Sequence, residues 1–553
     1  MSSRGRHKVF AIFWTWSIGP FAVITDIISA SGGKSLSALQ KCKLSLFPRH
    51  VPSVTGGQER RSEQSYMDVL RPNDWVLVFV DPLDGGEPEP LFFGFIDDVR
   101  LVQKIDRAGV RQAAITVSCS GWEKAINTVS CISNAWVSTQ INIATLHDIV
   151  QRTTEGRYVP KTAQIISAIV QTFLEAETTE AFLQRQADDN RSREQLEQEA
   201  VDRDVATAGD VEGDAPTSPS ATTGQPPIRA LMGQFELPRS RTPLWRLIKM
   251  KFEDLKERTF TIPETMVNML GMPLSRFVDE WSNPLINELF YDVRRTSADG
   301  LGHLEKGLRE LSSDAVGGYT RDSINDVIEA ANRVSGSIGS LFEDIAPCMI
   351  LMRRPLFVNE LKDLEGPTIE ASDLTNLELG FSDSDHYNMS WIEPKSLDVS
   401  HYRAASGLSG FDYARERSIE MVRRHGLRIY QDQTNSWPDN TVEGEVPTIP
   451  NHNPAMFREW NERIQRAGLD QIELLTGSAS MPKFVRGLYI GGKIIINVPP
   501  SPQTFQFGTE RVFYVDGLDW SYDAQSASFS TDISLSRGYE LSSGSNTGGV
   551  GAK

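Results

Sequence analysis

The chain is poor in the residues that build catalytic and metal centres: its 553 residues include four cysteines and eight histidines. Cys42, Cys119, Cys131 and Cys348 are scattered, and none forms a C-x2-C pair. Neither a zinc site nor a disulfide framework is signalled, and reduced, mostly buried thiols in a protein made in a reducing cytoplasm are the expectation. H-E-x-x-H and G-x-G-x-x-G are both missing. Gly33-Lys34-Ser35 ends like a phosphate loop, but Ile28 stands where its first glycine should be. Gly407-Leu408-Ser409-Gly410 has the wrong spacing for a nucleophile elbow. Asp383, Asp385 and Asn388 in SDSDHYN offer oxygens to a cation, yet the turn glycine and late glutamate of a calcium loop are absent, so a hydrogen-bonded loop is expected. No catalytic, cofactor-binding or metal-binding residue is assigned, and an enzyme is not expected.

Basic charge is also short, with 56 Lys+Arg against 73 Asp+Glu and a net charge of −17. Affinity for phosphate backbones comes largely from Lys and Arg, so general nucleic-acid binding is not expected, though lining a passage that DNA crosses without sticking is compatible with this charge. Long apolar runs are missing too. Val9 to Thr25 follows Arg4, Arg6 and Lys8, and the SAS-G at Ser29 to Gly32 has the look of a leader-cleavage site. Against a leader or anchor, Phe10, Ile12, Trp14, Trp16 and Ile18 alternate with mostly smaller residues, Gly19-Pro20 breaks the run, and its length is short for a span. Two strands joined at Gly-Pro are expected.

What the chain does have is alternation. Val512 to Gly538 (VFYVDGLDWSYDAQSASFSTDISLSRG) places Phe529, Thr531, Ile533 and Leu535 on one face and serines and Asp532 on the other. A period of two is that of a half-buried antiparallel strand, with Gly517 a bulge and Asp523 to Ala527 a hairpin turn. The same design stands far upstream, as Phe92 to Val99 (FFGFIDDV) followed by Ile115 to Gly121 (ITVSCSG). Each copy has an aromatic strand, a Gly, an acidic residue, a turn, then I-x-[VL]-S and a closing Gly. Two similar β-domains in one chain are expected, and 553 residues exceed a single core's usual size.

In chain order, residues 1–135 read as all-β, with strands at Lys41 to Leu46, Asp74 to Val80, Leu91 to Val99 and Ala113 to Ser120. Residues 136–365 read as helical and mixed, with helices near Leu146 to Val150, Thr162 to Glu177, Pro243 to Phe252 and Asp322 to Asp344, and a buried strand at Cys348 to Met352. Within them, residues 175–214 carry 13 acids against four arginines before a Pro/Ser/Thr-rich run, an acidic linker or insertion at about 180–227. Residues 366–538 read as the second β-domain, with a helical insertion at about 400–480 that includes Phe411 to His425, ended by Gly426, and Ala455 to Leu475. Residues 539–553 are a Gly/Ser tail. The class is α+β: two similar β-barrel-like domains with mixed α/β insertions and helical connectors.

Five segments in this order, DIISASGGKSLSALQKCKLSL (Asp26 to Leu46), WSNPLINELFYDVRR (Trp281 to Arg295), CMILMRRPLF (Cys348 to Phe357), LGFSDSDHYNMSWIEP (Leu379 to Pro394) and the terminal hairpin, resemble the baseplate hub protein of contractile-tailed bacteriophages. The resemblance implies a homotrimer, a symmetry adaptor whose six barrels in a ring match a threefold spike to a sixfold tail tube. Its implied partners are the tail tube protein, the central spike protein, baseplate wedge proteins and the tape-measure protein. DNA is passing cargo, no cofactor is needed, and the location is the virion baseplate after assembly in the host cytoplasm. The acidic insertion at about 180–227 matches no element of that family. Other readings are a hub or spike component of a non-phage contractile injection system, a tail-associated cell-wall hydrolase, which needs a carboxylate pair or a Cys/His pair, and a membrane-anchored secreted protein.

Overall fold

The computed structural model describes residues 7–23, 26–48, 65–82, 88–105, 111–128, 130–131, 235, 244–252, 259–261, 272–282, 284–295, 345–382, 386–394, 415–434, 436–438, 454–498 and 510–541. The expected helices at Leu146 to Val150, Thr162 to Glu177 and Asp322 to Asp344 and the acidic insertion lie outside them.

The first strands are β1 (Lys8–Thr15), β2 (Gly19–Val23), β3 (Ile27–Ser35), β4 (Lys41–Leu46), β5 (Trp75–Asp81), β6 (Glu89–Ile105), β7 (Arg111–Gly121) and β8 (Ser130–Cys131). The middle holds β9 (Lys249–Phe252), β10 (Thr259–Thr261), β11 (Met272–Pro273), β12 (Asn287–Arg295) and β13 (Ile345–Arg353). Then come β14 (Thr368–Glu370), β15 (Asn376–Phe381), β16 (Met389–Pro394), β17 (Ile429–Thr434) and β18 (Ser436–Pro438). The last are β19 (Leu475–Met481), β20 (Lys493–Asn497), β21 (Glu510–Asp523) and β22 (Ser528–Glu540).

One 13-stranded sheet joins the two ends of the chain, in the order β15-β19-β22-β21-β3-β4-β7-β6-β5-β1-β2, with β20 on β21 and β14 on β20. Both hairpins expected from alternation are present, as β6-β7 and β21-β22. Their likeness extends to register. Ile96 faces Cys119 and Asp98 faces Ser118, so Asp97 bulges; Val515 faces Leu535 and Gly517 faces Ser534, so Asp516 bulges. Equivalence therefore runs through the bulged aspartates. It makes Phe95 the counterpart of Tyr514 and corrects the pairing of Gly94 with Gly517, since Gly94 faces Gly121 in its ladder.

The repeat is larger than a hairpin. β5 pairs the first part of β6 with Trp75 on Phe95, and β20 pairs the first part of β21 with Lys493 on Tyr514. β4 pairs β7 with Leu44 on Val117, and β19 pairs β22 with Ala479 on Ile533. β3 flanks β4 as β15 flanks β19. Two five-stranded units thus share one chain order and one spatial order, β3-β4-β7-β6-β5 and β15-β19-β22-β21-β20. Each fills its own core. The first is built around Phe13, Val76, Val78, Leu44 and Val117; the second around Ile494, Ile496, Phe513, Ile533 and Leu535. One continuous sheet carries both units, and among the described strands its path runs open from β15 to β2.

The N-terminal run forms the expected hairpin, β1 on β2, with Gly19 at φ +90° closing the turn. Both faces of β1 are covered, so Phe10 and Trp14 are buried as well as Phe13. A helix at Arg415–His425 ends at Gly426, φ +78°, and a longer one spans Pro454–Asp470. The helix expected over Pro243 to Phe252 is halved. Leu244–Leu247 is helical, but KMKF is β9, drawn out by parallel pairing with the buried strand β13. The proposed insertion at about 400–480 also contains β19, a strand of the main sheet, because its small residues (LTGSASM) can pack close against β15 and β22. β22 runs to Glu540, past the expected start of the tail.

Candidate functional site

The densest chemistry lies along β12, a strand outside the main sheet that pairs with β13 and lies across both units. In its sequence, NELFYDVRR, Glu288, Asp292 and Arg294 fall on one face of the strand, and the charged residues meet partners from distant parts of the chain. Asp292 accepts from Lys34 Nζ of β3 at 2.8 Å and from Arg294 Nε at 2.9 Å, with its side chain 1% exposed. Burial raises a carboxyl's pKa, but the two cations outweigh it and hold Asp292 below its ordinary range. Lys34, which ended the failed phosphate motif, is an ion-pair partner inside the seam.

Glu288 gathers Arg537 at 3.1 Å and Arg354 at 3.2 Å, and accepts from the Tyr514 hydroxyl. Arg537 also donates to Pro355 O at 3.1 Å and lies 4.6 Å over the Tyr514 ring. Its φ of +53° is strained for a residue with a Cβ, and the guanidinium contacts hold it there. Arg294 continues the line, donating to Ile490 O at 2.9 Å and covering Tyr489. Glu89, between Arg295 at 3.4 Å and Arg486 at 3.0 Å, is raised by burial more than these cations lower it.

Glu123, a further member of the seam, has no counterion among the described residues. Glu123 is 1% exposed; its Oε1 accepts from the Gln40 amide at 2.5 Å, and Gln40 Nε2 donates to Tyr291 O at 2.8 Å. Glu123 Oε2, Trp122 Nε1 and the Tyr291 hydroxyl have no hydrogen-bond partner among the described residues. Burial, with a smaller push from Asp292, lifts Glu123 to about 7.

The carboxylates are tied to cations or backbone amides, and among the described residues no cluster of His, Cys, Asp and Glu could hold a metal ion. A cleft beside the seam, lined by Lys34, Glu89, Tyr489, Asp519 and Trp520, has about 40 Å³, room for a few waters. In the SDSDHYN loop residues 383–385 lie outside the described ones. Asn388 donates to Gly426 O at 2.7 Å and accepts from the Arg428 amide at 3.0 Å, and His386 Nδ1 lies 2.9 Å from Gly468 O, so both serve the loop's own structure. Cys42, Cys119 and Cys348 are buried free thiols. No described helix is long and apolar enough to cross a membrane. The seam went unseen in the sequence because its pairs join distant positions.

No family model matches the chain, and no curated protein matches it. Among solved structures, its neighbours are phage tail proteins and proteins of type VI secretion. The chain is similar to the 43 kDa tail protein of prophage MuSo2 from Shewanella oneidensis (8% identity, TM-score 0.41), over 96% of this chain and 98% of that one. It is similar to a tail protein from Neisseria meningitidis (7% identity, TM-score 0.40), over 96% of each. It is also similar to an E. coli component of the type VI secretion system (8% identity, TM-score 0.33), over 93% of this chain and 74% of that one.

Proposed function

We propose that this chain is a structural component of a contractile tail, the hub at the centre of the baseplate. Three copies form a ring that joins a sixfold tail tube to a threefold spike around the DNA channel. The duplicated five-stranded unit carries the reading: with two equivalent units per chain, a threefold assembly presents six equivalent β faces. In this reading each unit curls into a barrel-like wall of the ring. The seam along β12 locks the two units at a fixed angle, which a symmetry adaptor needs and a catalyst does not. Tube, spike, wedge and tape-measure proteins are its partners, DNA is passing cargo, and no catalytic centre or cofactor is required. The virion baseplate is its location, after assembly in the host cytoplasm. The net charge of −17 suits a channel that must not retain DNA.

The test is the mass of the purified chain by light scattering, followed by image averaging. A species near 185 kDa, three times 61.6 kDa, with six similar lobes supports the hub. A monomer at every concentration, or a twofold dimer, refutes it. A hub of a non-phage contractile injection system would share this geometry, and neighbouring genes would separate the two.

A further inference from the structure

Among the described strands the two units pair strand to strand in one place, and that joint is a template. The outer edge of β3 pairs antiparallel with the distal half of β21, from Ser35 on Gly517 to Ser29 on Asp523. This lays the tip of the second hairpin across the first core, where Trp520 is 6% exposed and Tyr522 8%. Gly32 makes the approach possible: a Cβ there would stand 2.7 Å from Trp520 Cζ2.

The equivalent edges of the other pairing are open. β15, the counterpart of β3, pairs only with β19 among the described strands, and the distal half of β6, the counterpart of distal β21, pairs only with β7. Both carry apolar residues in water. Leu101 of β6 is 47% exposed and Phe381 of β15 is 66% exposed, and the space beyond Gly380 is empty. An unpaired, half-apolar strand edge is a liability in a protein that stays alone.

We propose that the outer edge of β15 pairs with distal β6 of a second copy, repeating between chains the β3-β21 joint found within one; this rests on the ring reading above. Transposing the internal register through the bulged aspartates sets Phe381 opposite Val99, Leu379 opposite Leu101 and Glu378 opposite Val102. The contact is complementary on both faces. The small-large pair Gly32 and Trp520 becomes a medium-medium pair, Leu379 and Leu101. On the other face Glu378 lies diagonal to Arg100, within reach of an opposite-charge cross-strand pair. The joint is head-to-tail, and under the threefold reading above three copies close it into a ring.

Cross-linking tests it. Within the chain, Leu36 N donates to Asp516 O and Ala524 N to Ile28 O. Alternation then makes Ser31 and Ser521 a non-hydrogen-bonded pair, the kind with Cα atoms about 4.5 Å apart. Their counterparts are Glu378 and Val102, and that spacing suits a disulfide. Glu378→Cys and Val102→Cys chains, co-expressed and oxidised, should give a disulfide-linked dimer that neither variant gives alone. Leu379→Cys with Val102→Cys, one residue out of register, should not link. Leu101→Arg, at an exposed position, should keep its melting temperature and lose assembly. An assembled particle without the 378–102 link, or a Leu101→Arg variant that assembles as well as the parent, overturns the edge assignment and leaves the ring reading standing. A parent chain that stays monomeric overturns both.

Discussion

Glu123→Gln should make the protein more stable at pH 8 and change it little at pH 4. In the folded chain Glu123 is buried beside Asp292 without a cation, and its pKa is pushed up to about 7. In the unfolded chain it titrates near 4.3. The folded state therefore holds the proton more tightly, and the associated stability is complete below the unfolded value and is lost as pH rises through the folded one. Each unit of difference is worth about 1.4 kcal/mol, so the loss between pH ~4 and pH ~8 is about 3 kcal/mol. Gln keeps the shape and an oxygen for the Gln40 amide but cannot ionise. Asp74, lifted by burial to about 6, has the same sign but is common to both proteins and cancels in the comparison. The assay is guanidinium unfolding at pH 4, 6 and 8, followed by tryptophan fluorescence, with hydrogen exchange at the Gln40 amide as the local reading. The variant should gain on the parent steadily with pH. Parallel pH dependences would show that Glu123 is solvated or paired, and the reasoning would fail.

Three further outcomes follow from the seam and the joint. Asp292→Asn leaves Lys34 and Arg294 facing each other without their anion and should cost about 3–5 kcal/mol at pH 7. Because the Asp292 carboxyl is held low, the parent should lose this advantage only as pH falls below about 4 toward the folded value, closing the gap between the two unfolding curves. Arg537→Met should cost about 3 kcal/mol in chemical unfolding, the lower end for a broken buried pair, since Arg354 stays on Glu288. Gly32→Leu alone should clash with Trp520, whereas Gly32→Leu with Trp520→Leu should be less damaging than the sum of the two, with a coupling of about 1–3 kcal/mol in a double-mutant cycle.

Much of the local structure was legible. Alternation in Phe529 to Leu535 located β22, the Gly517 irregularity located a bulge, and Gly426 ended a helix where its positive φ was required. The shared aspartates and I-x-[VL]-S signatures marked a duplication, and both hairpins bear it out. The size of the repeat was hidden because β4 (KCKLSL) and β19 (LTGSASM) are equivalent in pairing without being alike in residues. KMKF was misread as helix because its length is too short for a period, and its partner β13 lies a hundred residues away. The seam pairs, such as Lys34 with Asp292, leave no local signal; a long-range contact is written in two places, neither of which names the other.

The β3-β21 joint also fixes a timetable. Ser35 is synthesised 482 residues before its partner Gly517 (517 − 35). At about 5–20 residues per second, roughly 25–100 s pass between them on the ribosome. Throughout that interval the first core lacks the lid formed by Trp520, Tyr522 and Phe529, and the edge of β3 stands unclaimed. The first unit to be made is thus the last to be finished, and a chain released short of residue 510 cannot complete it. Two nascent chains side by side on one message would each hold the edge that the other's C-terminus fits, so completion within one chain depends on the C-terminus reaching its own N-terminal half first.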